Sequence, residues 1–192
     1  MTDSENFDAL TGNLLLAMPG IADPFFSQTL TLICEHSMEG AMGLVINQPT
    51  GVSLQEVFEQ LEFFDVSTDA MQKPIGYGGP VGKDQVFILH TKDREKKWSS
   101  SFEVIKGIEL TVSQDIVEAV SKGNGPDKWL FVLGYAGWGA GQLETELVGD
   151  SWITMPATEQ LIFDTPAEEQ LKAAASNLGI EFSRLATTAG SA

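Results

Sequence analysis

The sequence predicts an α+β fold. Short apolar stretches rich in β-branched or aromatic residues recur along the chain, bounded by Gly, Pro, Asn or Asp, as is typical of strands. Helical patterns are fewer and do not alternate regularly with these stretches. A doubly wound parallel sheet needs regular alternation, so clustered strands favour an α+β fold. The 192 residues show no composition break, and we expect one domain over residues 1–192 with a frayed tail at about 187–192.

Nine stretches of four to seven residues carry the strand pattern. A tight connection at Lys106-Gly107 joins two of them, which is typical of a hairpin. In chain order, the predicted strands are Asn13–Met18, Thr29–Glu35, Met42–Asn47, Gln85–His90, Ser101–Ile105, Ile108–Val112, Trp129–Tyr135, Leu143–Val148 and Trp152–Met155.

Three helices are predicted from their capping residues and apolar faces. The predicted N-cap residues are Ser53, Ser113 and Thr165. Glu56 completes a capping box with the first of these, and Pro166 occupies the first helical position after the last. Gly123 ends the second helix and Gly179 the third, because glycine readily adopts the left-handed conformation that stops a helix.

The charge balance excludes several classes of partner. Eleven Lys and Arg face 27 Asp and Glu, which gives a formal net charge of -16. Nucleic acids and anionic lipids require clustered cations, so we expect no direct nucleic-acid binding and no membrane association. The N-terminal residues are acidic and lack the pattern of a signal peptide, and the apolar runs are too short to cross a bilayer. We therefore expect a cytoplasmic protein.

The sequence also lacks recognisable cofactor, metal and catalytic motifs. One cysteine and two histidines cannot supply four Cys or His ligands for a structural zinc site. Gly137-Trp-Gly139 is followed by Gln142 where a dinucleotide fingerprint needs glycine, and no Gly-x-Ser-x-Gly elbow is present. We therefore predict no cofactor, no metal and no catalytic residue.

Residues 134–141 contain four glycines directly after a predicted strand. Such density permits unusual backbone conformations and a close approach of another chain or of a ligand. We favour a bulged hairpin that packs Tyr135 and Trp138 over a ligand-binding loop. The residues that follow, beginning at Gln142, alternate in the manner of a strand.

Cys34 and His36 end a predicted strand. A period of two places both on the face that also carries Leu30 and Leu32. We favour a buried Cys34 that acts as a small hydrophobic residue. The alternative is a reactive thiolate favoured by the imidazolium of His36, or by that of His90 on an adjacent strand.

Two turns and an aromatic pair complete the candidate features. Asn47-Gln-Pro49 follows a strand, and Gly79 lies in the glycine-rich turn of residues 76–80. Phe25 and Phe26 follow a proline on a predicted loop. They form either a core plug or an exposed patch, and we favour the plug.

Taken together, several motifs resemble the AlgH/YqgE family of bacterial proteins. They are Leu15–Pro19, Asp23–Phe26, Ile33–His36, Gly40–Asn47 with Pro49, Gly78–Val81, Gly134–Gly139 and Gln142–Glu144. The resemblance runs from about Leu10 to Phe182, and Ala140 departs from the proline that many members carry. It implies an α+β fold in which a branched, mostly antiparallel sheet curls into a pseudo-barrel with a few flanking helices. Members are often labelled transcriptional regulators, and the resemblance implies no particular biochemical activity.

Two hypotheses about function follow. The first is a non-enzymatic regulatory protein that acts through a protein or small-molecule partner and does not bind DNA directly. Its candidate groove residues are Asn47, Gly79, Tyr135, Trp138 and Gln142. The second is a thiol-dependent redox sensor or enzyme that uses Cys34 with His36 or His90. We favour the first, because no catalytic constellation is visible.

Overall fold

The computed structural model describes residues 9–64, 66, 67, 70, 71, 73–93, 95–181 and 183. The predicted frayed tail at 187–192 lies outside the described residues. Within the described part, one sheet of ten strands is flanked by four α-helices, a 3₁₀ helix at Pro24–Phe26 and a π-helical turn at Gln160–Asp164.

The strands are β1 (Asn13–Ala17), β2 (Leu30–Ser37), β3 (Gly40–Val45), β4 (Pro49–Ser53), β5 (Pro74–Tyr77), β6 (Val81–Thr91), β7 (Phe102–Ile105), β8 (Ile108–Thr111), β9 (Trp129–Gly139) and β10 (Trp152–Pro156). The helices are α1 (Leu54–Gln60), α2 (Gln114–Ser121), α3 (Gln142–Val148) and α4 (Ala167–Asn177).

The sheet is branched and mostly antiparallel. Its main path runs β10-β1-β2-β3-β9-β6-β8-β7, and β4 and β5 form a side branch that joins β9. Among the described strands, only the β5–β9 pairing is parallel. The sheet curls into a half-barrel that brings β2 close to β7. This architecture confirms the fold predicted from the resemblance.

The apolar side chains form three buried clusters. The first fills the concave side of the sheet around Leu32, Leu44 and Leu110, where α4 covers it. A second cluster lies between α1, α2 and the β5–β9 branch. A third joins Leu15 and Ile33 to the apolar side of α3. The third cluster positions the candidate site described below.

Eight of the nine predicted strands are confirmed, with ends shifted by a few residues. The ninth prediction, a strand at Leu143–Val148, is wrong because this segment forms α3. Leu143 and Leu147 are four residues apart, so one side of a helix buries both of them. The same spacing also fits the period of two of a strand, which is why the sequence pattern predicted one. The prediction missed β4 and β5, which are rich in glycine and proline.

The hairpin predicted for the glycine-rich segment is also wrong. Residues 134–139 continue β9, and residues 136–139 pair with β3, so the segment does not form a separate bulged hairpin. The predicted packing of Trp138 is confirmed, because its side chain is buried in the third cluster. Tyr135 packs edge-on against Phe87 at a centroid distance of 5.7 Å.

The predicted helix starts have different outcomes. The hydroxyl of Ser53 caps α1 by accepting a hydrogen bond from the Glu56 amide at 3.3 Å. Ser113 is the N-cap residue of α2, although its hydroxyl bonds elsewhere. The prediction for Thr165 is wrong, because Pro166 is the N-cap residue of α4. The hydroxyl of Thr165 instead donates to a carbonyl of the preceding π-helical turn.

Candidate functional site at the β2–β3 hairpin and helix α3

Three of the predicted site residues meet at α3. His36 comes from the end of β2, Trp138 from β9, and Gln142 opens the helix itself. Each forms a hydrogen bond with a carboxylate of α3, which is Glu144 for His36 and Glu146 for the other two. The sequence analysis selected neither carboxylate as a site residue, although Glu144 ends one of the motifs that carry the family resemblance.

Glu146 joins two tryptophans to the helix. Its Oε2 accepts hydrogen bonds from Nε1 of Trp138 at 3.0 Å and from Nε1 of Trp152 at 2.8 Å. Its Oε1 accepts from Nε2 of Gln142 at 2.9 Å. The two indole rings meet edge to face with centroids 6.1 Å apart, and Phe26 packs against both. Because three donors already use this carboxylate, its role is to hold α3 on the sheet.

The entry into α3 is fixed by Gln142 and a glycine. The side-chain Oε1 of Gln142 accepts a hydrogen bond from the Gly139 amide at 3.1 Å. Gly141 precedes the helix with a φ of 72°, in the left-handed region that favours glycine. Together these features turn the chain sharply from β9 into α3, which brings the helix back over Trp138.

His36 reaches α3 because of a β-bulge. The pairing of β2 with β3 shifts between Ile33 and Glu35, so Cys34 is the extra residue. After the bulge, His36 faces the side of the sheet that carries α3, and its Nε2 lies 2.9 Å from Oε1 of Glu144. The His36 side chain is 5% exposed and that of Glu144 is 47% exposed. The pKa of Glu144 lies below its usual range. The main cause is a hydrogen bond from the backbone amide of Glu144 to its own carboxylate, and the hydrogen bond from His36 is the second cause.

The bulge separates Cys34 from His36, so the predicted shared face is wrong. Cys34 is 1% exposed and packs in the first cluster beside Leu32. Its Sγ donates a weak hydrogen bond to the Leu32 carbonyl at 3.7 Å. Burial raises the pKa of the Cys34 thiol, and the charge of Glu35 adds to this effect. These surroundings fit the hydrophobic interpretation of Cys34.

Asn47 fixes the loop that precedes β2. Its Oδ1 accepts a hydrogen bond from the Leu30 amide at 2.8 Å, and its Nδ2 donates to the Gln28 carbonyl at 2.9 Å. Gln28 has a φ of 60°, an uncommon conformation for a residue other than glycine. The Asn47 side chain therefore holds a constrained loop in place through both ends of its amide group.

Gly79 allows two backbone segments to touch. A Cβ atom at this position would overlap the peptide that joins Tyr135 to Ala136. The glycine therefore lets the segment between β5 and β6 lie flat against β9. Within the described residues, Gly79 and Tyr135 form no hydrogen bond with the carboxylates of α3, so they position β9 and do not belong to the α3 network.

His90 lies in another part of the sheet. It is fully buried on β6, with Nδ1 3.0 Å from the Thr91 carbonyl oxygen and Nε2 2.8 Å from Oγ1 of Thr111 on β8. Burial lowers the pKa of His90, and the nearby carboxylate of Glu109 partly opposes this shift. No hydrogen bond joins either histidine to Cys34 within the described residues.

The described residues contain neither a metal-binding cluster nor a membrane-spanning helix. Across that part of the chain, no group of three or more His, Cys, Asp or Glu side chains is arranged to hold a metal ion. Nor does any helix there combine the length and the apolar character needed to cross a membrane.

We predict that Cys34 does not react with an alkylating reagent in the native state. Its burial and raised pKa both disfavour the thiolate that such a reagent attacks. Mass spectrometry after iodoacetamide treatment at several pH values, with and without denaturant, measures this. Rapid native labelling with a midpoint below the ordinary thiol pKa of about 8.5 would support the thiol hypothesis instead.

Replacing Glu146 should destabilise the fold. Glu146→Ala leaves two buried indole donors without an acceptor, and we expect a loss of about 3 kcal/mol in the free energy of unfolding. Glu146→Gln keeps one acceptor oxygen and should cost roughly half as much. Urea denaturation measures both losses.

Glu39→Ala, at the exposed tip of the β2–β3 hairpin, is the control and should change stability by less than about 0.5 kcal/mol. Equal losses for Glu39→Ala and Glu146→Ala would contradict the anchoring role.

Comparisons with known proteins agree with this architecture. A family model described as AlgH-like matches residues 14–183. A UPF0301 protein of Paraburkholderia phytofirmans is 44% identical over 192 residues, which is all of both chains. The solution structure of the AlgH protein from Pseudomonas aeruginosa is 44% identical, covers all of both chains and superposes with a TM-score of 0.79. A protein from Corynebacterium diphtheriae whose crystal structure is known is 19% identical in sequence and superposes with a TM-score of 0.68. The match covers 86% of this chain and 85% of that protein, and it shows that the two share a fold. The chain belongs to the AlgH-like family.

Proposed function

We propose that this protein is a regulator that acts by binding a protein partner with a basic surface. The partner binds at a face that we name the hairpin–α3 face, which consists of Met38, Glu39, Glu144, Val148 and Asp150. Direct recognition of DNA is not part of this proposal. The observation that carries it is the confinement of the basic residues to part of the chain.

Basic residues are confined to particular segments. Residues 1–72 and 129–171 contain no Lys or Arg, and nine of the eleven basic residues lie between 73 and 128. The hairpin–α3 face belongs entirely to the segments without cations. Its carboxylates therefore have no lysine or arginine from their own segments to neutralise them, and they attract positively charged molecules.

The face also offers exposed apolar side chains. Val148 is 87% exposed and Met38 is 67% exposed. Val148 lies one helical turn after Glu144, so both project from the same side of α3. The bond from His36 to Glu144 links that side to the hairpin that carries Met38. Apolar anchors surrounded by acidic groups are typical of a surface that binds a basic protein.

The interactions of Glu146, Trp138 and Gln142 make this face suited to binding. They keep α3 and the hairpin in one arrangement, so little conformational freedom is lost when a partner binds. The same groups are satisfied by one another, which leaves Glu144 and the exposed apolar residues as the contacts for a partner.

Affinity capture with matched variants tests the docking proposal. Immobilised protein should retain a stoichiometric partner from a cell extract of its source, and about 0.5 M salt should release it because screening weakens the attraction. The double variant Glu39→Lys/Val148→Ser should bind that partner about tenfold more weakly, since it loses an apolar anchor and reverses a charge. Binding of the purified partner is then measured by titration.

The control places the same two changes elsewhere. Glu168→Lys lies in the first turn of α4, and Phe64→Ser follows α1, where the phenyl ring is 80% exposed. This control variant should keep the affinity of the unmodified protein. Recovery of the bare protein from every extract, or an equal loss in both double variants, would contradict the proposed face.

DNA binding gives a second test. We expect no mobility shift of a duplex with protein at about 10 μM and salt at about 150 mM, because a protein of charge -16 repels the phosphate backbone. A basic DNA-binding protein is titrated in parallel as the positive control. Tight binding that weakens steeply with added salt would overturn the exclusion of DNA.

A further inference from the structure

A surface cavity lies where the end of β2 approaches β7. β1 pairs with β2 only over residues 30–32, and the Gly12 amide then donates to the Ile33 carbonyl at 2.8 Å. Beyond that point, β3 is the only described strand that pairs with β2. β7, at the end of the sheet, curls towards this edge without pairing with it. The space between the two strands measures about 480 Å³, large enough for a small organic molecule.

The wall of this cavity is acidic, and no lysine or arginine among the described residues lines it. Its lining residues are Thr11, Cys34, Glu35, His36, Ser37, Phe102 and Glu103. Glu35 and Glu103 are both exposed. The Gly107 amide and Nζ of Lys92 lie 2.9 and 3.8 Å from Oε1 of Glu103, which leaves Oε2 for a ligand. The two carboxylates therefore attract a positively charged molecule into the cavity.

Two of the lining residues have a buried polar atom without a hydrogen-bond partner among the described residues. These atoms are Nδ1 of His36, whose side chain is 5% exposed, and Oγ1 of Thr11. The ionised carboxylate of Glu144 only accepts, so Nε2 of His36 carries the hydrogen between them. In the neutral imidazole, Nδ1 is then an acceptor. Because buried polar atoms are nearly always satisfied in proteins, two such atoms at one cavity indicate a bound molecule that completes them, directly or through a water molecule.

The groups on the wall match a guanidinium better than other cations. Phe102 is 38% exposed, and a planar guanidinium stacks on an aromatic ring. Its five N–H groups include pairs that fit the two oxygens of a carboxylate. An ammonium group has three donors and no planar face, so it satisfies fewer of these acceptors. A neutral molecule of the same shape gains no attraction from Glu35 and Glu103.

We propose that this cavity binds a small molecule that carries a guanidinium group. The guanidinium donates hydrogen bonds to the carboxylates of Glu35 and Glu103 and stacks on the ring of Phe102. Its remaining N–H groups satisfy Nδ1 of His36 and Oγ1 of Thr11, directly or through one water molecule. The site binds the molecule without breaking or forming a covalent bond.

This binding site is separate from the hairpin–α3 face. Its residues lie at the end of β2, on β7 and in the segment before β1, and none of them belongs to that face. The proposed occupants also differ, since the face binds a protein and the cavity binds a small molecule. Failure of either proposal leaves the other standing.

Titration with n-butylguanidinium, followed through the backbone amide NMR signals, tests the site. We expect a dissociation constant of about 1 mM or lower at about 150 mM salt, because the ligand is small. The largest shifts should occur at the amides of residues 34–37, 102 and 103. Neutral n-butylurea has nearly the same shape and should bind at least tenfold more weakly. n-Pentylammonium, which carries the charge without the planar donors, should bind more weakly than n-butylguanidinium.

Variants separate this site from the general attraction of an acidic protein for cations. Glu35→Gln/Glu103→Gln should bind n-butylguanidinium at least tenfold more weakly, because both carboxylates lose their charge. Phe102→Leu should weaken binding about threefold through the loss of the aromatic face. The control Glu168→Gln/Glu169→Gln changes the net charge by the same amount in the exposed first turn of α4. It should keep the affinity of the unmodified protein.

The shifts and the comparison of the three compounds use the unmodified protein, so they decide the matter even if a variant fails to fold. Shifts centred on the hairpin–α3 face, or binding of n-butylurea or n-pentylammonium as tight as that of n-butylguanidinium, would overturn the proposal. Equal losses of affinity in the two double variants would overturn it as well.

Discussion

The close approach of three strands to β9 is the constraint on which the rest of the structure depends. β9 pairs with β6 within residues 129–135, with β5 at residues 132 and 133, and with β3 at residues 136–139. Gly79 and Gly40 lie where a Cβ atom would overlap the backbone of β9. The glycines therefore let the sheet branch and curl. Because β9 then runs directly into α3, the branch also positions Trp138 beneath Glu146.

The basic residues are distributed unevenly between the hairpin–α3 face and the rest of the chain. The hairpin–α3 face comes from segments without lysine or arginine, and this is why we propose a partner with a basic surface. A surface cavity comes from the segment that holds most of the basic residues, and its wall carries carboxylates as well as lysines: Lys92, Asp93, Glu95, Lys96, Lys97 and Glu109. The net charge of -16 is a sum over both regions, so it does not describe the local charge of either one.

Sequence patterns predicted the parts of the fold that local chemistry determines. The strands with alternating or continuous apolar residues were found, and so was the Ser53 cap of α1. The patterns missed β4 and β5, because distant pairing partners stabilise those two strands more than local propensity does. Three of the eight predicted site residues meet at α3, but the role of Glu146 could not be predicted. It depends on the indole groups of Trp138 and Trp152, which lie on two strands of the sheet.

The bulge at Cys34 places the side chains of Cys34 and His36 on different sides of the sheet. Without it, period two would place the imidazole of His36 beside the thiol, inside the half-barrel. With it, His36 lies opposite Ala41, which packs in the third cluster on the side of α3, while Cys34 stays in the first cluster. The thiol thereby loses the neighbouring imidazole that could have activated it, and its burial disfavours the thiolate. The same shift gives Glu144 a nearly buried partner, so the hairpin and the helix present one surface.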